Sequence, residues 1–139
     1  MKNPQMIFIN LPTTNLERSK AFYQAIGFTY NPQFSDETGI CMVLSETIFV
    51  MVLTHPKWKQ FTTKTIPDAK TSAQVMLAIS SDSKSNVDAI VKKAAQAGGK
   101  ADPLPAQDLD FMYGRIFEDP DGHIWESYWM DMSALPPQG

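Results

Sequence analysis

Apolar residues fall along this chain in two periodicities, and the alternation between them repeats. The run Met6-Ile7-Phe8-Ile9-Asn10-Leu11 is short, β-branched and aromatic, and Pro12 ends it, so it reads as a strand. Asn15 offers N-cap chemistry. Leu16, Ala21, Phe22, Ala25 and Ile26 then recur at helical spacing, predicting a helix from about Leu16 to Ala25 with Gly27 as its C′ residue. Phe28 to Phe34 is extended, with Pro32 marking an edge. Ile40 to Leu44 and Ile48 to Thr54 pair as a hairpin through Ser45-Glu46-Thr47. The second half starts over with a strand from Gln74 to Ser80 and helix-start residues from Ser81 to Asn86. An apolar stripe follows (Val87, Ile90, Val91, Ala94, Ala97), and Gly98-Gly99 ends it. A Pro-containing connection, Ala101 to Leu109, leads into two aromatic-rich runs either side of Asp119-Pro120-Asp121-Gly122.

Strand, capped helix, glycine and several strands thus occur once in each half. A unit of that size cannot bury its own sheet, so the expected fold is α+β, two βαβββ modules forming one curved mixed sheet around a cleft with helices outside. The expected layout is a single domain over residues 1–139, with a first module at 5–55, a linker at 56–72, a second module at 73–131 and a tail at 132–139. The stretch from His55 to Ser72 breaks the rhythm with Pro56, Pro67 and several threonines, and one helical turn is expected around Trp58 to Phe61. Aromatics in a polar loop mark a lid or a dimer contact.

Composition narrows the function. A net charge of −3 with 19% charged and 43% hydrophobic residues suits an ordinary globular domain and argues against a nucleic-acid surface. Lys57, Lys59, Lys64 and Lys70 gather loosely and read as a solvated face. Cys41 is the only cysteine and lies in an apolar run, so it reads as a structural thiol rather than a nucleophile. No apolar run is long enough to span a bilayer and Met6 to Ile9 lacks a cleavage site, so a cytoplasmic protein without membrane contact is expected.

Glu126 stands out as a carboxylate among apolar neighbours mid-strand, where an unpaired charge is costly. If Asp119 to Gly122 are the four turn residues, Glu118 faces His123, Arg115 faces Glu126, and Tyr113 faces Tyr128. Opposed side chains lie ~5 Å apart at Cβ, so Arg115 is expected to pair with Glu126. That pair either neutralises a buried charge or holds a polar group of a ligand, together with the tyrosines. The inference depends on the turn, since a one-residue slip separates the two.

Two stretches carry a family resemblance. Asn15-Leu16-Glu17-Arg18-Ser19-Lys20-Ala21-Phe22-Tyr23 with Ile26-Gly27-Phe28 resembles the opening D-L-x-x-S-x-x-F-Y…L-G-F motif of the glyoxalase/bleomycin-resistance/dioxygenase (vicinal oxygen chelate) superfamily. Glu118 to Glu126 is similar to its closing D-P-D-G-x-x-x-E motif. Within the superfamily the chain resembles the bacterial branch of predicted lactoylglutathione lyases. The resemblance implies a homodimer and, in metal-dependent members, four inward ligands on one divalent ion. By position these fall on Phe8, Val52, Met76 and Glu126. Phe and Val are not ligands and a thioether suits soft copper, so no cofactor is expected and Glu126 is the sole position that matches.

Taking those positions as inward, period-two alternation adds Asn10, Val50, Thr54, Ala78, Ser80, Ile124, Tyr128 and Met130 to the cleft lining. The expected ligand-binding set is Phe8, Asn10, Val52, Thr54, Met76, Ala78, Tyr113, Arg115, Glu126 and Tyr128, with no catalytic residue assigned. Such a lining suits a small, largely apolar molecule held without metal. The rival expectations are a lactoylglutathione lyase-like or dioxygenase-like enzyme with an altered metal site, and a non-catalytic interaction module.

Overall fold

Local signals set the element boundaries. The computed structural model describes residues 3–134, which divide into two units between Ser72 and Ala73. In the first, strand β1 (Ile7–Thr13) is followed by helix α1 (Leu16–Ala25), whose Asn15 cap accepts a hydrogen bond from the Arg18 amide at 3.0 Å. Gly27 ends α1 at φ 111°, a conformation that costs glycine little. Strands β2 (Thr29–Asp36), β3 (Gly39–Val43) and β4 (Ile48–Thr54) complete the unit, followed by a one-turn helix α2 (His55–Trp58). The sheet order is β1-β4-β3-β2, with β1 parallel to β4.

The second unit repeats the plan. Strand β5 (Met76–Ser80) precedes helix α3 (Lys84–Gln96), capped by Ser83 and ended near Gly98 at φ 97°. Strands β6 (Lys100–Ala101), β7 (Gln107–Leu109), β8 (Met112–Glu118) and β9 (Ile124–Met130) follow. The order is β5-β9-β8-β6, with β7 also paired to β8. The Pro-containing connection read from the sequence therefore holds two short strands. The expected tail begins with a 3-10 turn at Met132–Ala134, and 135–139 lie outside the described residues.

Each sheet carries its helix on one face. In the first unit α1 buries Phe22 and Tyr23, with Ile40, Met42, Val50 and Val52 also buried. The Thr13 and Ser19 hydroxyls hydrogen-bond at 2.8 Å beneath that helix. In the second, Val87, Val91 and Ala94 of α3 are buried, as are Phe117 and Trp125, whose rings stack. Burying each large apolar side chain contributes about 1.5–3 kcal/mol. No helix among the described residues is long and apolar enough to cross a membrane.

Candidate functional site

The face opposite α1 is set by strand register. Pairing of Phe8 with Phe49, Asn10 with Met51 and Pro12 with Leu53 places these six side chains together. Phe8 and Phe49 stack with centroids 4.4 Å apart, and Phe8 remains 47% exposed. Phe8 and Asn10 thus lie on the open face, as expected. Val52 and Thr54 do not: Val52 pairs with Leu11 on the α1 side and is buried. The expectation was one residue out because Ile48–Thr54 is nearly all apolar, leaving no polar position to mark its exterior. Thr54 has another task, accepting the Lys57 amide at 3.4 Å as the N-cap of α2.

That cap folds the chain back over the open face. Trp58 and Phe61 come to lie with Asn10, Leu53 and Thr62 around a cavity of about 250 Å³. Leu53 is consequently buried although it faces away from α1. Lys57 sits over the Phe61 ring at 5.6 Å. The two aromatics foreseen as a lid or a contact therefore line a cavity within their own unit. On the other side of α2, His55 and Lys59 border a second cavity, of about 410 Å³, with the Thr62–Ile66 segment.

Cys41 is fully buried, and burial pushes its thiol pKa up, away from the thiolate a nucleophile requires. The structural reading of this residue stands.

In the second unit the open face carries Met76, Ala78 and Ser80 beside Ile124, Glu126 and Tyr128, because β5 and β9 pair in parallel with Ala78 next to Glu126. Met76 is 74% exposed. The Glu126 carboxylate lies over Gly114, where an added Cβ would come within 3.3 Å of its Oε2. Glycine at this position leaves room for the acid.

Arg115 is elsewhere. It pairs across the strands with Ser127, Tyr113 pairs with Trp129, and Glu126 faces Ile116. The cause is the loop. Asp119 Oδ1 accepts from the amides of Asp121, Gly122 and His123 at 3.0, 3.0 and 2.9 Å. Gly122 takes φ 103°, which inserts one residue before pairing resumes at Glu118 and Ile124. Every side chain of β8 shifts face relative to the four-residue turn. Arg115 and Tyr113 consequently leave the open face, and His123 belongs to the loop rather than opposing Glu118.

On the helix side, Arg115 donates to Asp102 through Nε and Nη2 at 3.1 and 2.6 Å, and to Asp88 of α3 through Nη1 at 2.9 Å. The Tyr113 hydroxyl donates to the same Asp88 oxygen at 2.6 Å. Tyr113 and then Arg115 hold the Asp88 carboxyl below its ordinary range, while the Asp88 bond pushes Tyr113 up. Asp102 and then Asp88 raise Arg115 further still, against desolvation. Asp102 holds φ 53°, a left-handed conformation uncommon outside glycine, and Arg115 clamps it. Sequence reading missed Asp88 and Asp102, since neither lies in a hydrophobic pattern that predicts its partner.

The metal implied by the resemblance does not fit these residues. Phe8 and Met76 are on open faces, Val52 is buried under α1, and Met51, not Val52, is the β4 residue beside Asn10. Met51 supplies only a thioether, so correcting the register adds no hard ligand. Among the described residues, no group of three or more His, Cys, Asp or Glu could hold a metal ion.

Similarity to known proteins supports the architecture. A sequence family described as bleomycin resistance protein-like N-terminal matches residues 5–45. No functionally curated protein matches the chain. Among solved structures, a glyoxalase/bleomycin resistance protein/dioxygenase family enzyme from Burkholderia phytofirmans PsJN is 19% identical with a TM-score of 0.74, covering 91% of this chain and 99% of its own. A glyoxalase-related enzyme from Fulvimarina pelagi is 22% identical with a TM-score of 0.74, covering 90% and 87%. The fosfomycin resistance protein FosX from Mesorhizobium loti is 11% identical with a TM-score of 0.68, covering 95% and 97%. The fold of this chain is that of the glyoxalase/bleomycin-resistance/dioxygenase superfamily.

Proposed function

We propose that this chain binds a small, largely apolar molecule, without a divalent metal, in the cavity that α2 closes over the open face of the first unit. The observation that carries this reading is the lining: Trp58, Phe61 and Leu53 form apolar walls, with Asn10 and Thr62 as the polar groups. A few polar groups in an apolar wall are what orients a small ligand. At about 250 Å³ the space exceeds the ~150 Å³ that accommodates benzene in an engineered protein cavity. A substituted aromatic ring is therefore a reasonable size class, with one hydroxyl or carbonyl met by the Asn10 amide.

Calorimetric titration with p-cresol in chelator-treated buffer tests the proposal. Binding is expected without added metal, weakened by about tenfold or more in Trp58→Ala and unaltered in Glu126→Ala. Binding that needs a divalent ion and disappears in Glu126→Ala would instead support a metal-dependent enzyme of the lyase or dioxygenase kind.

A further inference from the structure

The α2 turn has two chemically different sides. Trp58 and Phe61 line the apolar cavity, whereas His55 and Lys59 border the 410 Å³ cavity. Across from them run Thr62, Thr63, Lys64 and Thr65, and no carboxylate lines the space. Neither Lys59 nor Lys64 has a carboxylate within ion-pair distance among the described residues, in a chain of net charge −3. The other lysines of the cluster do not line this space: Lys57 lies over Phe61, and Lys70 is absent from the lining. Thr62 Oγ1 accepts the Lys64 amide at 3.1 Å, which fixes the loop and leaves the hydroxyl proton available to donate. Thr62 also lines the apolar cavity, so it is a wall common to both.

We infer that the His55–Lys59–Lys64 cavity is a subsite for an oxyanion, a carboxylate or phosphate ester, carried by the ligand whose apolar body occupies the neighbouring cavity. Two ammonium groups, which only donate, and a row of hydroxyls that can donate as well as accept suit an acceptor-rich, negatively charged group. This inference rests on the proposed apolar cavity and adds the charge class of its ligand. The ligand is then an aromatic or compact apolar acid.

A matched series tests it: p-cresol, p-toluate and p-tolyl phosphate, titrated calorimetrically into the full chain. At low salt at least one anion is expected to bind about tenfold more tightly than p-cresol, as one charge-assisted hydrogen bond supplies. The gain is expected to shrink as salt rises. The tighter anion identifies which ester or acid the subsite prefers. Combined Lys59→Ala and Lys64→Ala is expected to erase the gain while p-cresol affinity stays within about twofold, and Lys70→Ala is expected to change nothing. Equal binding of neutral and anionic compounds, or a gain that survives the double substitution, overturns the oxyanion subsite and leaves the apolar cavity standing. Anions that bind as well in Trp58→Ala as in the unaltered chain overturn the shared ligand and the apolar cavity reading. Absence of binding by all three compounds overturns both.

Discussion

The two units are built to one plan and held by different means. Both order their strands alike, first strand beside last, and both end their long helix at a glycine with positive φ. The first unit fills the space under its helix with aromatics and aliphatics, among them Phe22, Tyr23, Phe28, Met42, Val50 and Val52. The second has a smaller fully buried set, dominated by Trp125 and Phe117, and adds polar fastenings: the Asp119 loop, the Arg115 cluster, and the Ser81–Ser127 hydroxyl pair at 2.9 Å. Their open faces differ as well. The first is partly roofed by its own α2 segment, which makes a cavity; on the second, Met76 is exposed and Glu126 half-buried. The Asp119-Pro120-Asp121-Gly122 loop and Glu126 thus sit in the second unit, while the cavity proposed for the ligand sits in the first.

The contrast can be tested at the largest side chain first. Trp125→Ala is expected to destabilise the protein by about 3–5 kcal/mol in urea denaturation, because it removes the principal filling of a thin core. A loss under about 1 kcal/mol would mean that polar fastenings alone hold the second unit. Asp119→Ala is next, at about 2–3 kcal/mol, since three loop amides lose one buried acceptor. A loop that kept its register without Asp119 would show unchanged cross-strand contacts between Arg115 and Ser127 by NMR.

The Arg115 cluster is expected to matter less. Asp88 is about half exposed, so Arg115→Met should cost only about 1 kcal/mol. It should leave p-cresol binding unaltered, in contrast to an Arg115 that faced Glu126. The pH dependence has a defined sign. Asp88 has a depressed folded pKa, so its contribution is present above the unfolded carboxylate value and lost as pH falls through the folded one. Asp88→Asn should therefore lower stability at pH 7 and converge with the unaltered chain as pH falls through the depressed folded pKa of Asp88. Parallel curves down to low pH would remove Asp88 as an acid-sensitive fastening.

Boundaries were legible in the sequence because their signals are local. Asn15, Gly27, Ser83 and Gly98 each act within a turn of their own position, and the helices begin and end where those residues require. Faces were legible only where polar and apolar residues alternate. Glu126 declared the open side of β9 and lies there, with Trp125 buried on the helix side. Val52 and Thr54 were misplaced because an apolar strand takes its facing from its partner β1, a long-range fact. Arg115 and Tyr113 were misplaced because a single glycine at positive φ decides whether four or five residues make the loop. The aspartates that hold Arg115 come from α3 and from a connection before β7, positions that no spacing rule joins.

Amide chemical-shift mapping with p-cresol addresses the location of the ligand most directly. The expected result is a set of saturable shifts at Asn10, Leu53, Trp58, Phe61 and Thr62, unchanged by chelator. Shifts confined to Ala78, Gly114 and Glu126, appearing only when a divalent metal is present, would contradict a metal-free cavity in the first unit.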